Sequence, residues 1–215
     1  MRIVAGLAAA IVGAAALSSV AAAGRVEQLA LMPLPRETLG SGGAALALLS
    51  DSGVDSNADA ARHASDGVTA ADLAGDGRIS GYTLDYWLRE GSAPQSLLGV
   101  QTIAELYRDA VTARHGLVFW RGVTRKLDGT TSQGITISLA PFPVRVGDDA
   151  FGFELKYSRA GRPSVYLGDV VFRTGDLLGA VFVTLRNETD VRPRTRQLAH
   201  RLARRMKAVA AGAIR

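Results

Sequence analysis

VYLGDVVFRTGDLLGAVFVTL, Val165 to Leu185, is the stretch that decides the fold. It holds two apolar runs, Val165 to Arg173 and Leu177 to Leu185, joined by Thr174-Gly175-Asp176. Glycine supplies the positive φ of a tight turn and aspartate bonds to nearby backbone, so the junction reads as a turn. Each run is apolar at odd and even positions alike, the pattern of a strand covered on both faces. The stretch therefore predicts a β-hairpin at the centre of a sheet.

Upstream, Phe151, Phe153, Leu155 and Tyr157 alternate as one face of a strand does, and so do Ile135, Ile137 and Leu139, whose strand is ended by Pro141 and Pro143. Before them, Ala110, Ala113, Leu117, Trp120, Thr124 and Leu127 recur at steps of three and four and predict a helix. Gly116 and Gly122 each weaken that helix by about 1 kcal/mol relative to Ala. Val100 to Tyr107 and the alternating Tyr82, Leu84, Tyr86 and Leu88 predict two more strands. Downstream, Asp190 is placed to cap a helix with Pro193 in its first turn and a buried stripe of Leu198, Leu202, Met206 and Val209. Strand, strand, helix, four strands, helix is the order of an α+β domain. The expected architecture, over residues 78–215, is a mostly antiparallel sheet of about six strands with two main helices packed on it.

Residues 24–77 read as a loosely structured extension with short helices. Leu29 to Pro35 is apolar and extended, because each residue before a proline is pushed out of the helical region. Ala44 to Leu49 suits one or two helical turns, and Ser50 to Gly53 a turn. Asn57 is expected to cap a short helix through His63, with Asp59 in its first turn. Ala70 to Leu73 is a further short apolar element.

Residues 1–23, MRIVAGLAAAIVGAAALSSVAAA, have the build of a secretory signal. Arg2 gives a positive start, Ile3 to Leu17 is uncharged and apolar, and Ala21 to Ala23 present the small side chains that signal peptidase requires. Cleavage is expected between Ala23 and Gly24, and the chain is expected outside the cytoplasm, with no later segment long and apolar enough to span a membrane. The alternative is an uncleaved anchor. The sequence has no cysteine, which excludes a disulfide framework, a lipid-modified cysteine and any thiol-based metal or redox site.

The chain carries 25 Lys and Arg against 20 Asp and Glu. The excess is concentrated at the end, where Val191 to Arg215 holds eight basic residues and no acidic one. With the apolar stripe of the last helix turned to the sheet, Arg201, Arg204 and Arg205 are expected to point outward. They are candidates for contact with anionic lipid headgroups or acidic wall polymers; a solvated face, or pairing with acids elsewhere, is the alternative. Nucleic acid is not an expected partner of an exported chain.

GRISGYTLDY, GVQTIAELYRDA, VGDDAFGFELKY, VVFRTGDLLGAVFV and LAHRLARRM resemble stretches of uncharacterised exported α+β proteins of high-GC Gram-positive bacteria. The layout, from about Gly77 to Ala213, is similar to that of PsbP-like lipoproteins and of the extracellular sensor domains of bacterial serine/threonine kinases. The resemblance implies an envelope-side binding or accessory role and no known chemistry. The chain departs from the lipoproteins in lacking their cysteine and from the kinases in lacking a kinase domain.

The residues that carry chemistry are few. His63, His115 and His200 are the only histidines, there is no Gly-x-Ser-x-Gly, and no His pair has helical zinc spacing. No glycine-rich phosphate loop opens a helix. Asp55, Asn57, Asp59 and Asp66 fall at calcium-loop positions, but the sixth position is Ala60 where a glycine is needed, so a helix N-terminus is the better reading. Thus no catalytic, cofactor or metal residue is assigned. Tyr82, Tyr86, Phe151, Phe153 and Tyr157 are candidates to line an apolar pocket, with plain core as the alternative. The expected function is a non-enzymatic binding or accessory protein of the bacterial cell envelope, for a partner protein or an apolar or anionic envelope component. One alternative is an envelope hydrolase in which two of Asp148, Asp149, Asp169 and Asp176 converge, and another is a structural interaction module without a pocket.

Overall fold

The computed structural model describes residues 24–64, 67–92, 96–186 and 191–214. The expected signal segment, Asp66 and the expected cap Asp190 lie outside the described residues.

The predicted hairpin forms β8 (Val165–Thr174) and β9 (Leu177–Arg186), closed by Gly175 and Asp176 with Gly175 at φ 61°. It sits at the centre of a sheet in which every strand pairing is antiparallel. Around it lie β3 (Arg78–Leu88), β4 (Leu97–Tyr107), β6 (Ile135–Pro141) and β7 (Asp149–Arg159). The long helices are α4 (Ala110–Arg125) and α5 (Arg192–Ala210). With the short strands β1 (Leu46–Leu48), β2 (Gly53–Asp55) and β5 (Thr131–Ser132), the strand order is β1-β3-β4-β9-β8-β7-β6-β5, with β2 also paired to β3. After the β3–β4 hairpin the chain crosses one face of the sheet as α4. It starts again at the far edge and meanders back until β9 pairs with β4. It then crosses the opposite face as α5. The result is three layers, with the sheet between the two helices.

The described residues hold nine strands and five α-helices, more than the six and two expected from the sequence. The additions are all short. They are α1 (residues 24–29), β1, β2 and β5, together with the short helices α2 (Asn57–His63), where one was expected, and α3 (Ala70–Gly75), over the expected short apolar element. Ala44 to Leu49 is not helical beyond a 3₁₀ turn at Gly43–Ala45, because Leu46, Ala47 and Leu48 pair with Leu88, Trp87 and Tyr86. Helix α2 is capped one residue before Asn57. The Ser56 hydroxyl accepts the Asp59 N–H while the Asp59 carboxylate accepts the Ser56 N–H, a reciprocal capping box.

Leu29, Met32, Leu34 and Leu39 are each no more than 2% exposed. They fill the space between α5 and the sheet together with Val100, Phe172, Val181, Leu198, Leu202 and Met206. Residues 24–46 are thus part of the core rather than a loose extension. The reason is partly electrostatic. Arg194, Arg201 and Arg205 on α5 donate to the backbone carbonyls of Leu39 and Ser41, of Thr38, and of Leu31. The four stripe residues Leu198, Leu202, Met206 and Val209 are fully buried, each worth about 1.5–3 kcal/mol of apolar burial. On the other face α4 covers Phe151, Phe153, Leu155, Val171 and Leu178. Gly116, costly to a helix in isolation, is needed here, since a Cβ at that position would stand 2.4 Å from the Tyr107 hydroxyl beneath it. No helix among the described residues is long and apolar enough to cross a membrane.

Candidate ligand-binding cleft

Helix α4 leaves part of its face of the sheet uncovered, and β2 and α2 close the far side of the gap. The floor follows from strand register. In one transverse row, Asp85 of β3 pairs with Gln101 of β4, Gln101 with Phe182 of β9, and Phe182 with Asp169 of β8. The neighbouring row is Thr83, Ile103, Ala180 and Val171. Side chains of one parity share a sheet face, so these eight present themselves together. With Glu105 and Leu178 from the next row, Trp120 and Thr124 from α4, and Val54, Asp59 and Arg62 from the far wall, they line a cleft of about 700 Å³. That is the size of a small-molecule site.

The far wall is fixed by a buried ionic network. Arg78, 2% exposed, donates from Nε to Glu105 Oε1 at 2.9 Å, from Nη2 to Asp55 Oδ2 at 2.6 Å and from Nη1 to Asn57 Oδ1 at 2.8 Å. Asn57 returns a bond from Nδ2 to the Arg78 carbonyl at 3.1 Å. Glu105 Oε2 accepts from the Tyr107 hydroxyl at 3.1 Å and from Trp120 Nε1 at 3.3 Å. One guanidinium thereby joins β2, the start of α2, β3 and β4, and Glu105 carries the network on to α4. Burial works against the Arg78 cation, but the Glu105 and Asp55 carboxylates more than offset it and hold its pKa above the ordinary value. A Cβ at Gly81 would stand 2.6 Å from the Arg78 guanidinium, so glycine there makes room for the network.

Two carboxyls of the floor stand outside this network. Asp169 is 1% exposed; its Oδ2 accepts from the Thr124 hydroxyl at 3.1 Å and its Oδ1 has no hydrogen-bond partner. Burial pushes its pKa up to about 7, against the opposing effect of the Thr124 hydroxyl. Asp85 is raised to about 6, first by burial and then by repulsion from Asp51. A buried carboxyl with a free acceptor inside a cleft costs stability and is the kind of group that binding sites hold.

The predicted site residues are distributed as follows. Tyr82 and Tyr86 belong to the core on the α5 face, whereas Phe151, Phe153 and Tyr157 pack on the α4 face. The five do not share a cavity, because the parity of β3 that carries its tyrosines is opposite to the parity that floors the cleft. Arg121 stacks over Phe151 and Arg125 over Phe153, which covers those rings. Of Arg201, Arg204 and Arg205, only Arg204 is exposed; the other two are half-buried donors to the N-terminal segment. The four aspartates do not converge. Asp169 lies four residues along β8 from Arg173, the residue opposite Asp149. Asp176 pairs with Arg25, and Asp148 accepts the Gly175 N–H and faces Arg173 at 3.2 Å. Asp148 and Asp149, neighbours in the chain, border a separate depression beside His200, Arg204 and Lys207. His200 and His115 are exposed. Among the described residues no group of three or more His, Asp or Glu is arranged to hold a metal ion.

Arg78, Asp85 and Glu105 were not singled out from the sequence. A signal for Glu105 and Asp169 was present, since Glu105 is the one charge in its strand and Asp169 the one acid in a largely apolar strand. Such a charge is expensive to bury without a partner or a task.

No family model matches the chain, and no curated protein matches it. Among solved structures it is similar to the extracellular domain of PknH from Mycobacterium tuberculosis, with a TM-score of 0.58 and 12% sequence identity. The match covers 84% of this chain and 95% of that one. At this identity the likeness is one of fold: the chain shares the α+β layout of that extracellular domain, in line with the layout expected from its sequence.

Proposed function

We propose that this chain is a non-catalytic ligand-binding domain on the outer side of a bacterial membrane, and that its ligand occupies the cleft between α4, β2 and α2. The observation that carries this reading is Asp169, a fully buried carboxyl with an unused acceptor on the floor of a preformed 700 Å³ cleft. The fold shared with an extracellular domain and the signal-like composition of residues 1–23 support the location. N-terminal sequencing of the exported protein should begin at Gly24.

Binding fits better than hydrolysis. A carboxylate pair acting on one bond is held about 5–10 Å apart. Asp85 and Asp169 are three strand spacings apart, about 14 Å between backbones. Asp148 is engaged in holding the Gly175 turn, and Asp176 pairs with Arg25.

The test is a thermal-shift screen of a chemically diverse small-molecule library against the wild type and two cleft-filled variants, Ala180→Phe and Thr83→Phe. Compounds that stabilise the wild type and lose their effect in both variants support the cleft. Stabilising compounds that act equally on wild type and variants would place the ligand elsewhere.

A further inference from the structure

The cleft is acidic in an unbalanced way. Asp51, Asp55, Asp59, Asp85, Glu105 and Asp169 line it, and the only cation among its lining residues is Arg62. Arg62 pairs with Asp59, and Arg78, behind the wall, takes up Glu105 and Asp55. None of these guanidinium groups reaches Asp51, Asp85 or Asp169. Asp169 is the independent pointer to a ligand, being 1% exposed with Oδ1 unbonded at the cleft floor. Above about pH 7, where Asp169 is ionised, the guest that satisfies it brings positive charge and a hydrogen-bond donor.

A metal ion does not fit, because among the described residues no three His, Asp or Glu side chains are grouped to hold one. The material between the two ends of the floor decides the rest. From Asp85 to Asp169 the row runs through Gln101 and Phe182, flanked by Ile103, Ala180 and Val171. Beyond Gln101, which donates to Asp85, that is an apolar track, with Asp169 at one end and Asp85 and Asp51 at the other. Allowing each donor nitrogen to sit about 3 Å inside its carboxylate leaves about 8–11 Å between two nitrogens. This is the span of six to eight methylenes.

We propose that the cleft binds a linear organic dication, a diamine or polyamine. One ammonium donates to Asp169 Oδ1, the other lies by Asp85 and Asp51, and the methylene chain lies along Gln101 and Phe182. This rests on the reading of the cleft as a ligand site and adds the class of ligand. Charge and hydrogen bonding at two ends give selectivity that apolar contact alone does not, since a hydrogen bond to a charged group is worth roughly tenfold or more in affinity.

The test is titration calorimetry of the exported chain at low ionic strength with 1,4-, 1,6-, 1,8- and 1,10-diaminoalkanes, octylamine, octane-1,8-diol and octanoate. The expected result is tightest binding at 1,6 or 1,8, octylamine weaker by about tenfold, and neither diol nor octanoate bound. Asp169→Asn and Asp85→Asn, each checked for folding by circular dichroism, should each reduce the best diamine to the octylamine level. Thr83→Phe should abolish binding. Equal diamine affinity in wild type and Asp169→Asn overturns the proposal. Binding of diol or octanoate, lost in Thr83→Phe, overturns the dication and keeps the cleft as a ligand site. No binding by any probe, with no cleft-dependent compound in the library screen, overturns both.

Discussion

Asp169→Asn should make the protein more stable, and only at neutral and alkaline pH. The side chain is buried on the sheet and faces Thr124 of α4 and Tyr157 of β7. The arginines of α4 nearby, Arg121 and Arg125, lie over Phe151 and Phe153. The folded carboxyl titrates at about 7 against an ordinary 3.8. Between about pH 4 and 7 the native state keeps a proton that the unfolded chain has released, so stability falls as pH rises through that window and stays low above it. Three pKa units correspond to about 4 kcal/mol at 1.36 kcal/mol each. Asparagine removes the charge but buries an amide with imperfect partners, which returns about 1–2 kcal/mol. The net gain above pH 8 is about 2–3 kcal/mol, or roughly 4–12 °C in Tm for a domain of this size. Below pH 4.5 the variant should equal the wild type or fall slightly short. Thermal unfolding followed by circular dichroism at pH 4.5, 6 and 8 measures this. A variant less stable than wild type at pH 8, or a difference independent of pH, would refute the argument that Asp169 is a buried acid held against the interest of the fold.

Three further outcomes follow from the packing. Val181→Asp places an unpaired charge at a position that is 0% exposed in the central strand β9 and should leave no cooperative unfolding transition; unchanged thermal stability would contradict the central-hairpin assignment. Arg78→Met removes the cation between Glu105 and Asp55 and should cost about 3–5 kcal/mol in guanidinium unfolding, whereas a loss under about 1 kcal/mol would show the network to be dispensable. Arg201→Ala with Arg205→Ala should speed amide exchange in residues 29–41 and leave the sheet protected, because both guanidiniums hold carbonyls of that segment. If α5 instead docks on anionic lipid, the wild type will sediment with anionic vesicles and a variant with Arg201, Arg204 and Arg205 all changed to Gln will not.

The long elements were legible because their periodicity is their cause. Ten-residue strands such as Leu177–Arg186 and the stripe of α5 repeat often enough to announce the buried face. Strands β1, β2 and β5, of two or three residues, carry no such repeat; they exist because β3 and β6 offer them an edge. The N-terminal segment looked loose because its anchors, Arg201 and Arg205, lie more than 150 residues away. The cleft was hidden for a related reason. Its floor joins Asp85, Gln101, Phe182 and Asp169 by register between four strands, and register is not written in any one of them. The eye-catching tyrosines of β3 mark the opposite face.

Whether the α4-side cleft takes a ligand can be read from ¹H–¹⁵N NMR of the folded chain. On addition of a binding compound, shifts are expected to concentrate at Thr83, Gln101, Ala180, Phe182 and the Trp120 indole, and to be absent in Ala180→Phe and Thr83→Phe. Shifts confined to α5 and the N-terminal segment, or none at the cleft with any compound, would contradict a ligand site there.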